Sequence, residues 1–71
     1  MIDKIVIGLA TMFSNIEFDV DIEIFADGSE KYKILVGDFD FYMNNKVFRK
    51  MVEQYHKRYP ETKFFCYYQN R

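Results

Sequence analysis

The stretch EFDVDIEIF, residues 17–25, alternates a carboxylate with an apolar side chain four times in succession. Successive side chains of a strand point to opposite faces of its sheet, so this alternation reads as a half-buried β-strand. Phe18, Val20, Ile22 and Ile24 turn toward a core, and Glu17, Asp19, Asp21 and Glu23 form a row of acids on the other side.

Parity fixes the turn that follows. Asp27-Gly28 ordinarily suggests a two-residue hairpin loop, but that register sets Ile24 opposite Lys31 and Ile22 opposite Lys33, mixing the two faces. A three-residue loop of Ala26 to Gly28, with Gly28 left-handed, restores the match. It pairs Glu23 with Lys31, Asp21 with Lys33, Ile22 with Tyr32, Val20 with Ile34 and Phe18 with Val36, so that charge meets opposite charge and apolar meets apolar. Lysines thus neighbour half of the acid row, and Glu17 and Asp19 have no basic residue opposite them in this register.

Beyond Val36 the alternation changes phase, with Phe39, Phe41 and Met43 where Asp38 and Asp40 would otherwise stand, which predicts a bulge or corner at Gly37. Asn44 or Asn45 then caps a helix running to about Arg58, with Val47, Phe48, Met51, Val52, Tyr55 and Tyr59 as its apolar stripe and Pro60 as its stop. Residues 62–69, TKFFCYYQ, read as a last strand that is apolar on both faces: Phe64, Cys66 and Tyr68 on one, Phe65 and Tyr67 on the other. At the N-terminus, Ile2, Ile5, Val6, Leu9, Phe13 and Ile16 fit a helical stripe, while Gly8 and a β-branched run favour a strand. We take residues 2–14 as helix, giving αββαβ; the strand alternative gives βββαβ. The expected fold is a single α+β domain over residues 1–71: a small, three-stranded, mostly antiparallel sheet carrying helix 45–58 on one face. That helix should cross Val20, Ile22 and Ile34, with Met51 and Tyr55 central. An N-terminal helix would cover Phe65 and Tyr67; an N-terminal strand would leave them, with Leu35, as an exposed patch.

Composition narrows the function. Cys66 is the only cysteine, so no intrachain disulfide staples this 71-residue chain, and eight Phe and six Tyr must supply the packing. A lone Cys within KFFCYY reads as a small buried hydrophobe, which suits a cytoplasmic protein. The apolar N-terminal run is too short to span a bilayer and lacks the features of a signal peptide. Residue types with AT-rich codons (Phe, Tyr, Met, Ile, Asn, Lys) make up about half of the chain, as in low-GC bacteria and their phages. The charge is divided: residues 1–45 carry nine acids and three bases, residues 46–71 seven bases and two acids.

Asp38-Phe39-Asp40 has the DxD pattern of some metal-dependent transferases, but alternate strand residues lie roughly 6.5 to 7 Å apart, wide for chelating one ion. His56, the only histidine, has no sequence partner at a spacing that predicts a catalytic group. No cofactor, metal or catalytic residue is expected. The expectation is a non-enzymatic protein-binding module, of the kind phages and mobile elements use as inhibitors or accessory proteins. Its contact surface would be Glu17, Asp19, Asp21, Glu23, Leu35, Phe65 and Tyr67, engaging a protein partner or a second copy in a homodimer. The acid row spaced like DNA phosphates also allows mimicry of nucleic acid. The alternative is a small nucleic-acid-binding protein using the basic surface of Lys46, Arg49, Lys50 and Lys57 on the helix, with Arg58 beside them; the net charge of -1 and the acid row oppose it.

Overall fold

The computed structural model describes residues 2–70. Its elements run α1 (Ile2–Met12), β1 (Phe18–Ile24), β2 (Glu30–Val36), α2 (Phe39–Asn44), α3 (Lys46–Arg58) and β3 (Phe64–Tyr68). The fold is α+β, the expected αββαβ order with one short helix added between β2 and α3.

The β1–β2 hairpin follows the register that charge and face matching require, from Phe18 opposite Val36 through Asp21 opposite Lys33 to Glu23 opposite Lys31. Its loop is closed by Phe25 N donating to Ser29 O and Gly28 N donating to Phe25 O, both at 2.9 Å. Gly28 has φ 87°, the left-handed conformation that closes a three-residue loop without strain when no Cβ is present. β3 joins β2 on its other side and runs parallel to it, Tyr32 opposite Phe64 and Val36 opposite Tyr68. The sheet is therefore mixed, one antiparallel and one parallel pair in the order β1-β2-β3. A parallel neighbour needs a crossover, which α2 and α3 supply. At roughly 1.5 Å per residue, α3 returns the chain by about 20 Å, close to the length of β2.

The change of phase after Val36, read as a bulge or corner at Gly37, marks a bend at Gly37 that leads into a short helix. Asp38 caps α2, its Oδ1 accepting from Phe41 N at 2.8 Å, and the apolar residues that read as alternating instead wind into a six-residue helix with Phe41 buried. Asn45 repeats the device for α3, accepting from Phe48 N at 2.8 Å. The last strand is shorter than expected, Phe64–Tyr68, because Thr62 N closes a turn onto Tyr59 O.

Among the N-terminal residues the helical stripe prevails over the β-branched run: Ile2, Ile5 and Leu9 are buried on one side of α1. Gly8 permits this helix to approach α3, since a Cβ there would collide with the Tyr55 hydroxyl. Ile5, Leu9, Ile34, Val36 and Phe64 are fully buried and join Ile2, Phe41 and Phe48 in one core. At one end of it Phe13, Phe18, Phe41 and Phe48 pack ring against ring, with Phe13–Phe41 at 4.8 Å and Phe41–Phe48 at 4.9 Å. This aromatic cluster does the work of the missing staple.

Two expectations about coverage are corrected. Phe48, not Met51 or Tyr55, is the buried residue of α3; the other two are half-buried at its flank. Val20 and Ile22 lie on the helix side but remain 36 and 57% exposed, because β1 is an edge strand and the helical layer centres on β2 and β3. Nor does α1 cover Phe65 and Tyr67: its buried residues join the core that holds Ile34, Val36 and Phe64, on the same side of the sheet as α3. The molecule consequently has two layers, and its shortest extent is 18 Å. Among the described residues no helix is long and apolar enough to cross a membrane.

Candidate partner-binding face

The face of the sheet turned away from the helices carries the residues that alternation places there. The register aligns them across the strands: Asp19, Leu35 and Tyr67 form one row, and Asp21, Lys33 and Phe65 the next, followed by Glu23 opposite Lys31. Each strand gives the face a different character, acidic on β1, basic with one leucine on β2, aromatic on β3. Six of the seven residues singled out in the sequence are brought together in this way. Glu17 stands just before β1, where its carbonyl accepts from Gly37 N at 3.0 Å.

The two lysines of β2 mediate between the acids and the rings. Lys31 Nζ lies 3.7 Å from Glu23 Oε2, 5.0 Å from the centre of the Phe65 ring and 3.4 Å from the Tyr67 hydroxyl. Lys33 Nζ is 4.0 Å from the same Glu23 oxygen and 5.9 Å from the Tyr67 ring. Sequence reasoning found the acid–lysine pairs but missed the lysine–ring contacts, because the parallel alignment of β3 is non-local and no spacing encodes it. Each such contact contributes little at an exposed site, about 0 to 1 kcal/mol. The side chains of the face are therefore held by weak contacts. Phe65 and Tyr67 stay 48 and 38% exposed.

Other candidates resolve into local structural roles. In the DxD pattern, Asp38 is the cap of α2 and Asp40 accepts from Asn44 Nδ2 at 2.8 Å, one turn along the same helix. No group of three or more His, Cys, Asp or Glu is disposed to hold a metal ion among the described residues. Cys66 faces the helices, and burial pushes its thiol up to about 12, which keeps it protonated and unreactive at neutral pH. His56 stacks flat against Phe64, centroids 4.1 Å apart. On the basic surface, Lys57 pairs with Glu53 at 3.4 Å and Arg49 donates to the Met43 carbonyl, while Lys46 and Lys50 project into solvent.

Comparison of the chain with protein-family models, with curated proteins and with solved structures finds no match.

Proposed function

We propose that this chain is a protein-binding module without catalytic activity, and that its contact surface is the sheet face left uncovered by the helices. The observation that carries this reading is the pair Phe65 and Tyr67, held outward beside Leu35 in a sheet whose other face is roofed by helices. An aromatic centre with a charged rim is the composition of an interface. The protonated thiol of Cys66 and the stacked ring of His56 support the non-catalytic part of the reading.

Charge argues that the partner is a different protein. In an aligned face-to-face packing of two copies centred on β2, which covers the rings of both, a two-fold axis along the strands lays the lysines of β2 over their own copies. An axis across the strands lays the acid row over itself. Either arrangement opposes like charges at the centre of the contact. Asp21 and Glu23 beside the rings likewise repel phosphates, which disfavours base stacking on this face.

The test is the affinity of a partner isolated from the native cell. Tyr67→Ala should weaken that complex by about 2 kcal/mol or more, with the circular dichroism of the free protein unchanged. Reversing charge at Asp21 should slow association and flatten its salt dependence. Undiminished affinity in Tyr67→Ala, or filter retention of single-stranded nucleic acid that this substitution abolishes, would overturn the reading.

A further inference from the structure

The two edges of the sheet differ in how they are closed. In the parallel ladder, residues 65 and 67 of β3 and the flanking residues 63 and 69 bond to β2, as Tyr32 N to Lys63 O and Gln69 N to Val36 O show, so Cys66 turns its carbonyl outward. That carbonyl is occupied: Tyr42 of α2 donates its hydroxyl to Cys66 O at 3.1 Å, and Phe39 packs on Tyr68 beside it, ring centres 5.1 Å apart. A short helix thus shields the β3 edge.

Among the described residues the β1 edge has no such cover. Bonds from Gly37 N to Glu17 O and from Phe25 N to Ser29 O fix which residues of β1 bond to β2, namely the odd-numbered ones. The amides and carbonyls of Val20, Ile22 and Ile24 therefore point away from the sheet, and none of them takes part in the turn, loop or cap bonds of the described residues. Their side chains are 36, 57 and 69% exposed. An edge of this kind is a template for another strand.

The side chains state which strand fits. Pairing with the β1 of a second copy, in any register that keeps apolar against apolar, sets carboxylate opposite carboxylate on the other face, which is destabilising. β2 shows the complement: Lys31 and Lys33 stand opposite Glu23 and Asp21, with Tyr32 and Ile34 opposite Ile22 and Val20. Glu23 is bridged by both lysines, whereas Asp21 makes no ion pair within the described residues and retains its charge for an outer neighbour.

We propose that the outer edge of β1 accepts an extended segment of a partner protein in which basic and apolar residues alternate, added antiparallel as a fourth strand. Its basic residues lie beside Asp21 and Glu23, and its apolar residues beside Val20, Ile22 and Ile24. The proposal rests on the reading of the chain as a protein-binding module and supplies the chemistry of the partner.

The probes are three end-blocked peptides as long as β1: alternating lysine and valine, the same with glutamate for lysine, and the lysine peptide N-methylated at its valines, whose amides would bond to the edge. The lysine peptide should bind the intact protein, more weakly as salt is raised, and should protect the amides of Val20, Ile22 and Ile24 from hydrogen exchange. The other two should bind roughly tenfold more weakly or worse. Equal binding of the N-methylated peptide, no binding of the lysine peptide at millimolar concentration, or protection of those amides by self-association of the protein alone would overturn the proposal. Tyr67→Ala should leave the peptide affinity unchanged. If that substitution abolishes peptide binding, the peptide lies on the open face, and the edge assignment falls while the face remains the contact surface.

Discussion

The two faces of this sheet are built from the same three strands and are held by different forces. On the helix side, Ile34, Val36 and Phe64 are fully buried and the side chains interlock with rings from the loops and helices. On the open side, contacts are between charges at 3.7 and 4.0 Å and between ammonium groups and rings at 5.0 to 5.9 Å. Apolar burial contributes kcal/mol per side chain, and exposed charge contacts contribute fractions of one. Stability is thereby concentrated in one face, which leaves the residues of the other free to be chosen for contact with something else.

Phe64 and Phe65 put that comparison within a single dipeptide. Phe64 is fully buried against His56 and the core, and Phe65 is half exposed beneath Lys31. Phe64→Ala should cost about 3 to 5 kcal/mol, much of the stability available to a small domain, whereas Phe65→Ala should cost under about 1 kcal/mol. Urea unfolding of the two variants measures the difference. Similar losses would show that the open face is covered in solution.

The contact between the two long helices of the covered side is the next most sensitive place. A methyl group at Gly8 meets the Tyr55 hydroxyl, so Gly8→Ala should destabilise by about 1 to 3 kcal/mol despite the better helix propensity of alanine. In a Tyr55→Phe background the obstructing oxygen is gone, and the same substitution should become neutral or stabilise by up to about 1 kcal/mol. A double-mutant cycle reports the coupling directly. Additive effects would mean that α1 and α3 do not meet at this point.

Much of the architecture was legible because it is local. The hairpin register follows from matching Glu23 and Asp21 to Lys31 and Lys33, the loop from the parity of that match, and α3 from a cap, a stripe and a proline. The corner at Gly37 is legible, but the helix of residues 39–44 is not, since FDFYM alternates as well as it winds; only the Asp38 side chain, placed to accept from Phe41 N, decides for a helix. Which side α1 covers was also beyond reach. Its stripe marks a buried face, but the choice of sheet side depends on Gly8 fitting against Tyr55 and on Phe13 joining Phe41, contacts between residues distant in sequence. The candidate face was legible residue by residue, and its cross-strand rows were not, because they depend on the parallel alignment of β3.

Titration separates the faces in another way. Cys66, raised by burial from 9.0 to about 12, holds its proton more tightly folded than unfolded. Its contribution is fully present below pH 9 and is lost as pH rises from there toward 12. Measured against Cys66→Ala, which cancels the titration of the tyrosines, the parent should lose at most about 1.4 kcal/mol more stability per pH unit above 9. In the native protein at pH 8 the thiol should react with a disulfide reagent far more slowly than in urea. Rapid native reaction would place Cys66 at the surface.

The smallest effect tests the open face itself. Glu23 lies near both lysines of β2, while Asp21 faces Lys33 in the ladder without an ion pair to it and sits about 6.5 to 7 Å from the carboxylate-bearing neighbours on its own strand. Glu23→Gln removes two weak attractions and should destabilise by up to about 1 kcal/mol. Asp21→Asn removes repulsion along the row and little attraction, so its effect should be near zero or slightly stabilising. Both effects are electrostatic and exposed, and the Debye length falls to about 3 Å in molar salt. Urea unfolding at low and molar salt should therefore show a difference between the two variants that vanishes when salt is added. If Asp21→Asn destabilises as much as Glu23→Gln at low salt, Lys33 serves both acids equally, and Asp21 has no charge to spare for a strand added at the β1 edge.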